Sequence, residues 1–554
     1  MPNTMLTSLD AVQMRAFYAA GYWQSDTIFS SAKAQAAARP DKIAIRDRFR
    51  AVTYSQLIEA ADRLAADLAA SGLRAGSRVA IWLPSRIETA VALLACSRSG
   101  FVCCPSLHRD HTVGEIRDLM LRMRASALIC ETGYGADADR RDIIVEAASV
   151  GSLKKIYRLD PLRAETTALF ADLPAVEPRP VDENPDTVVY LAFTSGTTGQ
   201  PKGVMHTDNT LLANARALSH DWSLGAESVI YSMSPLSHNL GFGAAIMTFA
   251  RGGEFVIHDV PRGGSLVDRI IETGGTFMIG VPTHAIDLLA EVQKRGLTKL
   301  GRVMGFRISG ASVPPSVAGG LLAHGIVPQS GFGMTEAGSH HYTLPDDDAE
   351  TICNTSGRAC DGYEIRIFDQ DNVDLELGAG QNGQIGGRGA SLMLGYFDDQ
   401  EVTESSFNST GWFMTGDIGW MDEKGYLRVT GRKKDIILRG GHNIYPAKIE
   451  ALVMQHEGIE RAAAIPVPDD RLGEKVCLSV VIRQGLELSW DDILAHLDHL
   501  GLSKYDMPEY VLKLDHMPLT PSGKILKREL VSAVADGKLK PEPVRFKAGP
   551  SAQA

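Results

Sequence analysis

Long hydrophobic runs, paired cysteines and an excess of basic charge are all missing from this chain, and each absence removes a class of function. Nowhere in its 554 residues is there the run of about 20 apolar residues that a membrane-crossing helix requires. Asp10 and Arg15 stand where a secretory signal would need an apolar core. The seven cysteines are few and odd in number, Cys103 and Cys104 are adjacent, and no Cys-x-x-Cys pair occurs. That pattern signals neither a disulfide framework nor a zinc site, so buried reduced thiols and a cytoplasmic location are expected. A net charge of −11 leaves no basic face for nucleic acid. Short-period repeats and low-complexity tracts are absent too. What remains, 44% apolar and 22% charged residues, describes an ordinary globular composition in a chain too long for one core.

The residues that are present alternate between two periodicities. Thr53 to Gln56 has capping-box spacing, and Leu57, Ala61, Leu64 and Leu68 continue one helical face. Apolar runs at 79–83, 127–130, 229–233, 254–258, 276–279 and 302–309 read as strands between helical segments, a pattern of α/β sheets covered by helices. Beyond about residue 355 the texture changes to turns rich in Gly and Asp between short strands. After the charged run Arg432-Lys433-Lys434-Asp435, about 120 residues carry strands and helices of their own, long enough for a separate small domain. The tail after Gly537, with Pro541, Pro543 and Gly549, reads as disordered.

One run organises the chemistry: Thr194-Ser195-Gly196-Thr197-Thr198-Gly199-Gln200-Pro201-Lys202-Gly203. It follows an apolar stretch, 188–193, that reads as a buried strand, and a helix start signal follows at Asp208-Asn209. Small residues let the backbone approach a ligand, hydroxyls donate, and Lys202 adds a cation, a sum that suits a polyphosphate. A Gly/Ser/Thr run also suits a plain surface loop. A P-loop is excluded, because that motif needs Gly directly before its Lys and a hydroxyl directly after it, and here Pro201 and Gly203 flank Lys202.

A second glycine block, Gly331-Phe332-Gly333-Met334-Thr335-Glu336, offers room for a nucleobase beside an aromatic ring. A carboxylate next to polyphosphate makes sense chiefly as a Mg²⁺ ligand, which points to Glu336. A turn with a capping Thr-Glu pair is the plainer alternative.

Five blocks together resemble the adenylate-forming family of acyl-CoA synthetases, firefly luciferases and peptide-synthetase adenylation domains. They are the Thr194 run, the Gly331 block, Trp412-Phe413-Met414-Thr415-Gly416-Asp417, Gly431-Arg432-Lys433-Lys434-Asp435, and Pro521-Ser522-Gly523-Lys524-Ile525-Leu526-Lys527. Phe332 stands where that family often has Tyr, and Gln384 where Glu is common. The resemblance implies an α/β fold with a large N-terminal domain, residues 1–431, and a smaller mobile α+β domain, residues 432–554. It implies ATP binding by Thr194, Ser195, Gly196, Thr197, Thr198, Gly199 and Lys202, by Gly310 and Ala311, and by Gly331, Phe332, Gly333, Met334 and Thr335. Asp417 and Arg432 would hold the ribose, Glu336 the metal, and Lys434 would be the hinge. Lys524 would stabilise charge as a carboxylate attacks the ATP α-phosphate, with Thr335, Glu336 and His238 at the reacting centre.

The glycine pair Gly440-Gly441 resembles the turn that lines the pantetheine tunnel of CoA-forming members. The acyl pocket would draw on His238, Asn239, Gly305, Ser309, Met334, His340 and His341. From Tyr18-Ala19-Ala20-Gly21-Tyr22-Trp23 onward the chain looks like the cyclohexanecarboxylate–CoA ligases, so the expected substrate is an alicyclic acid, with medium-chain or aromatic acids as alternatives. The expected cosubstrates are ATP with Mg²⁺ and CoA. A lysine acetyltransferase acting on Lys524 is a further expected partner, since acetylation removes the charge. Other readings have specific objections. A carrier-loading enzyme would be followed by a carrier domain, nothing points to a luciferin, and a silent nucleotide binder would be expected to lose Lys524, Glu336 or Asp417.

Overall fold

The structure is a computed structural model, and its description covers residues 5–170, 173, 180–194, 201–261, 263–310, 313–440, 442–520 and 523–545. Among these residues four sheets form. The first runs in the order Arg358–Ala359, Gly338–Tyr342, Val327–Met334, Gly305–Ile308, Phe277–Gly280, Val229–Ser232, Glu254–Ile257, Ile43–Arg46, Ala51–Thr53. Its central pairs are parallel. The second runs Lys155–Leu159, Ala125–Glu131, Arg78–Trp82, Val102–Cys104, Val188–Thr194, Lys202–Thr207, parallel except for its last pair.

Between these two sheets lies the largest apolar core, filled by helices Ile28–Ala38, Tyr54–Ala70, Ile87–Ser99, Asp208–Asp221 and Asn239–Arg251. The expected capping box forms at Thr53 and Gln56, and Leu57, Ala61, Leu64 and Leu68 are fully buried. Each such leucine contributes about 1.5–3 kcal/mol on burial. Helix Ile87–Ser99 is enclosed on every side, as expected for a segment with almost no polar face. Its one carboxylate, Glu88, is held by Arg50 and Arg86 at 2.7 and 2.8 Å.

A third, fully antiparallel sheet joins Tyr363–Phe368, Gly383–Gly389, Phe413–Met421 and Leu427–Arg432. The fourth contains only residues from Ile437 onward: His442–Ile444, Ile437–Arg439, Gly473–Ile482, Tyr510–Lys513 and Glu542–Pro543, with Ile459–Asp469 also on Gly473–Ile482. It has apolar clusters of its own. The chain is thus a large N-terminal α/β domain followed by a smaller C-terminal one. The 3₁₀ turn Lys433–Asp435 links the third sheet to the fourth.

Three expectations are corrected. The tail after Gly537 is ordered at least to residue 545, because Glu542 and Pro543 pair with Val511 and Tyr510; proline is tolerated on this edge strand. The helix that starts at Asp208 is directly preceded by a strand, Lys202–Thr207, with Thr194 opposite Lys202 in an antiparallel pair. Val204, Met205 and His206 carry no strand-type alternation because that strand is buried along its length. Finally, the strand that opens with the apolar pair Ile326-Val327 does not stop before the Gly331 block: it runs Val327–Met334, with Thr335 and Glu336 in the turn beyond it. All seven cysteines are free, and all but Cys353 are buried. No helix of the described residues is long and apolar enough to cross a membrane.

Candidate active site

Lys524 enters the site from the C-terminal domain. A tight hairpin aims it: Thr520 N–H donates to the Lys524 carbonyl at 2.7 Å, and Lys524 N–H donates to Thr520 Oγ1 at 3.0 Å. Gly523, at φ +82°, lets the turn close against Thr283 and Val281 of the N-terminal domain. The lysine's aliphatic stem then lies on Gly310, so close that a β-carbon there would sit 2.8 Å from Cε. Burial and the Arg432 charge draw the Lys524 ammonium below its usual range, while Asp417 and Glu336 oppose that shift.

Asp417 and Arg432 face each other across strands Phe413–Met421 and Leu427–Arg432. The guanidinium Nε donates to Asp417 Oδ1 at 2.6 Å. Asp417 is 4% exposed, and burial raises its carboxyl despite Arg432 and Lys524. Lys434, expected as a hinge, is exposed in the linking turn.

Glu336 accepts a hydrogen bond from the Tyr396 hydroxyl at 3.0 Å. Burial raises its carboxyl, against the fields of Arg432 and Lys202. Lys202 Nζ stands 4.8 Å from the centre of the Tyr396 ring, a cation–π distance. Tyr396 therefore ties the first glycine-rich block to the second. Sequence reasoning missed it, since Gly395-Tyr396-Phe397 carries no motif or periodicity. Among the described residues no group of three His, Cys, Asp or Glu side chains could hold a metal by itself. A lone carboxylate suits a Mg²⁺ ion whose other ligands are phosphate oxygens and water.

The remaining expected residues fall into three groups. His238 caps helix Asn239–Arg251, its Nδ1 accepting from Leu240 N–H at 3.2 Å. Burial, Lys524 and His108 push its imidazole down to about 3, so it is neutral at physiological pH. Asn239 lines a cavity between helices Asp208–Asp221 and Asn239–Arg251, together with Asn214, Leu240, Met247, Arg307 and Ser339. Thr335 is fixed through its carbonyl, which accepts from His206 Nε2 at 2.8 Å. Ser309 is buried, and the Met334 carbonyl accepts from Asn239 Nδ2 at 3.5 Å.

Elsewhere the structure parts from expectation. Gly305 abuts Trp222 and Phe277 in the core, and a β-carbon there would meet each ring at 2.7 Å. His340 is stacked on Tyr363 with ring centres 4.2 Å apart and meets Phe332 edge-on. His341 is buried with it. None of the three lines the cavity. Phe332 itself is only 9% exposed. Gly440 sits in the turn between Ile437–Arg439 and His442–Ile444 at φ +58°, its N–H donating to Leu472 O at 2.7 Å. Ser195, Gly196, Thr197, Thr198, Gly199, Ala311 and Gly441 lie outside the described residues.

With that geometry in hand, comparison with known proteins is decisive. A model of the AMP-binding enzyme family matches residues 32–397, and a model of its C-terminal domain matches residues 448–524. The chain belongs to the AMP-binding enzyme family. Among its relatives, the medium-chain fatty-acid–CoA ligase of Escherichia coli K12 is 32% identical over 95% of this chain and 94% of that protein. The 3-[(3aS,4S,7aS)-7a-methyl-1,5-dioxo-octahydro-1H-inden-4-yl]propanoyl:CoA ligase of Rhodococcus jostii RHA1 is 30% identical over 92% of this chain and 98% of that one. Among solved structures, ATP-bound MatB from Rhodopseudomonas palustris superposes with a TM-score of 0.82 at 28% identity, covering 92% of this chain and 99% of MatB. Apo MatB gives a TM-score of 0.71. Family membership makes this an ATP-dependent, AMP-forming acid–thiol ligase: an adenylate-forming acyl-CoA synthetase that uses a small carboxylic acid, ATP and CoA.

Proposed function

We propose that the acid is a compact alicyclic carboxylate of the cyclohexanecarboxylate kind, activated by Lys524 and passed to CoA after the C-terminal domain turns about Lys434. The observation that carries the mechanism is Lys524 lying on Gly310 with Asp417, Arg432 and Glu336 in its electrostatic neighbourhood. This is the arrangement for the first half-reaction. The run from Thr194 to Gly199, with Lys202, is assigned to the ATP phosphates on its residue types. Gly310, Ala311, Gly331, Phe332, Gly333, Met334 and Thr335 border the nucleotide, and the Asp417–Arg432 pair takes the ribose hydroxyls.

The acid's carboxylate oxygen attacks the α-phosphorus and the bond to the β-phosphate bridging oxygen breaks. Pyrophosphate leaves and a mixed anhydride with AMP remains. Charge accumulates on the α-phosphoryl oxygens, where the Lys524 ammonium stabilises it. Glu336, held by Tyr396, would hold Mg²⁺, which when bound offsets phosphate charge. In the second half-reaction the CoA sulfur attacks the acyl carbon and AMP departs as a good leaving group. For this the Gly440-Gly441 turn replaces Lys524 at the cleft, while neutral His238, with Asn239 and Ser309, borders the acyl group.

The alicyclic reading is supported by the N-terminal Tyr18–Trp23 stretch and by the fused-ring acid named for the Rhodococcus relative. The E. coli relative favours a medium-chain fatty acid as the second reading, with aromatic acids next and carrier loading less favoured. Pyrophosphate release across a panel of acids, with and without CoA, tests all of these. Pyrophosphate with no thioester would point to carrier loading, and a preference for straight chains would remove the ring.

A further inference from the structure

Arg307, on strand Gly305–Ile308, lines the cavity beside Asn239 and is 1% exposed. Nη1 donates to Gln329 Oε1 at 2.5 Å, and the guanidinium lies 5.6 Å from the Tyr342 ring centre. Nε and Nη2 have no hydrogen-bond partner among the described residues. Only Tyr342 and Cys360 favour its charge, and burial draws it down to about 10, so it remains a cation at neutral pH.

Other buried arginines behave differently. Arg78, also 1% exposed, directs Nε, Nη1 and Nη2 onto the carbonyls of Met123, Gly76 and Arg124. Arg50 is paired with Glu88 and Asp47, and Arg86 with Glu88 and Glu131. An arginine kept for packing would be satisfied in one of these ways, because a buried charge with free donors is strongly unfavourable. The two idle donors of Arg307 share one edge of the guanidinium plane, the edge that grips a carboxylate with two parallel hydrogen bonds. Around it the cavity wall is mixed: Leu240, Met247 and Ile279 lie beside Thr210, Asn214 and Ser339.

We propose that Arg307 determines specificity by binding an oxygen acceptor, a second carboxylate or a ring ketone, at the end of the acid remote from the carboxyl that is activated. This rests on reading the cavity as the acyl pocket. Two residues, Ile308 and Ser309, lie between Arg307 and Gly310, which puts the two backbones about 10 Å apart at most.

The test uses the full-length protein with ATP, Mg²⁺ and CoA, and two matched series of acids. The ring series is cyclohexanecarboxylate, 4-oxocyclohexanecarboxylate and trans-cyclohexane-1,4-dicarboxylate; the chain series is hexanoate, 5-oxohexanoate and adipate. In one series or both, an acceptor-bearing acid should exceed its plain counterpart in kcat/KM by about 100-fold, the upper range for leaving a buried donor unpaired. A preference for the diacid identifies a carboxylate, and a preference for the keto acid a ketone. Arg307→Met should bring the members of the preferred series within about tenfold of one another, while Arg307→Lys keeps part of the preference. Retention in the Lys variant separates recognition from a folding defect, and thermal melting of both variants checks the same point. Plain acids preferred by the native protein, or an unchanged ranking in Arg307→Met, overturns the role of Arg307 alone. No pyrophosphate from any acid overturns the proposed acyl pocket and Arg307 with it.

Discussion

Lys524 of the C-terminal domain rests on Gly310 of the N-terminal domain so closely that even a methyl group at Gly310 would stand 2.8 Å from Lys524 Cε. The glycine is therefore required twice, once for its φ of +98° and once for the space above it.

Lys524→Ala is expected to lower the pyrophosphate-releasing half-reaction by about 100- to 1000-fold, the loss typical of removing one preorganised transition-state donor. Conversion of a synthetic acyl-adenylate and CoA to thioester should survive. Single-turnover assays of the two halves make the comparison, and equal loss in both would remove the assigned role.

Tyr396→Phe keeps the ring under Lys202 but removes the hydroxyl that holds Glu336. A hydrogen bond to a charged group contributes about 1.5–3 kcal/mol, so a roughly 10- to 100-fold loss in kcat/KM for ATP is expected. A magnesium titration should show a higher requirement in the variant. An unchanged requirement would separate Tyr396 from the metal role proposed for Glu336.

The pH profile of adenylation should be set by Lys524. In the proposed role its ammonium form is the active one, and its folded pKa lies below the ordinary 10.5, so the rate should fall as pH rises through that lowered value. His238, pushed down to about 3, is already neutral at pH 5 and should add no inflection above it. An inflection near pH 6.5 that vanishes in His238→Gln would contradict this assignment.

Asp208, at the start of helix Asp208–Asp221, offers a stability test away from the chemistry. Burial raises its carboxyl from 3.8 to about 7, although Ile28 N–H and Ser97 Oγ donate to it. The folded protein thus keeps a proton that the unfolded chain releases above about pH 4. Its contribution favours folding at low pH and is lost as pH rises through about 7. Asp208→Asn should narrow the difference in Tm between pH 5 and pH 8, as read by thermal melting.

The parts of this enzyme that were legible in its sequence are those where a local pattern has one physical cause. The capping box at Thr53, the buried face from Leu57 to Leu68 and the glycine-rich blocks all declared themselves in this way. Strand Lys202–Thr207 did not, because a strand buried on both faces loses its alternation. Tyr396 and Arg307 were invisible for a different reason: each matters through partners far away in the chain, Glu336 and Lys202 for one, and the helices around the cavity for the other. Gly305 and His340 were not legible as core positions, because each is fixed by aromatic rings distant in the chain: Trp222 and Phe277 pack on Gly305, and Tyr363 stacks on His340.

The Lys433–Asp435 turn has a kinetic corollary. Lys524 and the Gly440 turn ride on one folded unit, so a single swing about Lys434 would bring one to the cleft as it takes the other away. Steady-state kinetics should then be ping-pong, with pyrophosphate competing against CoA for the same AMP-bound intermediate, and the enzyme would meter its second substrate by the departure of its first product.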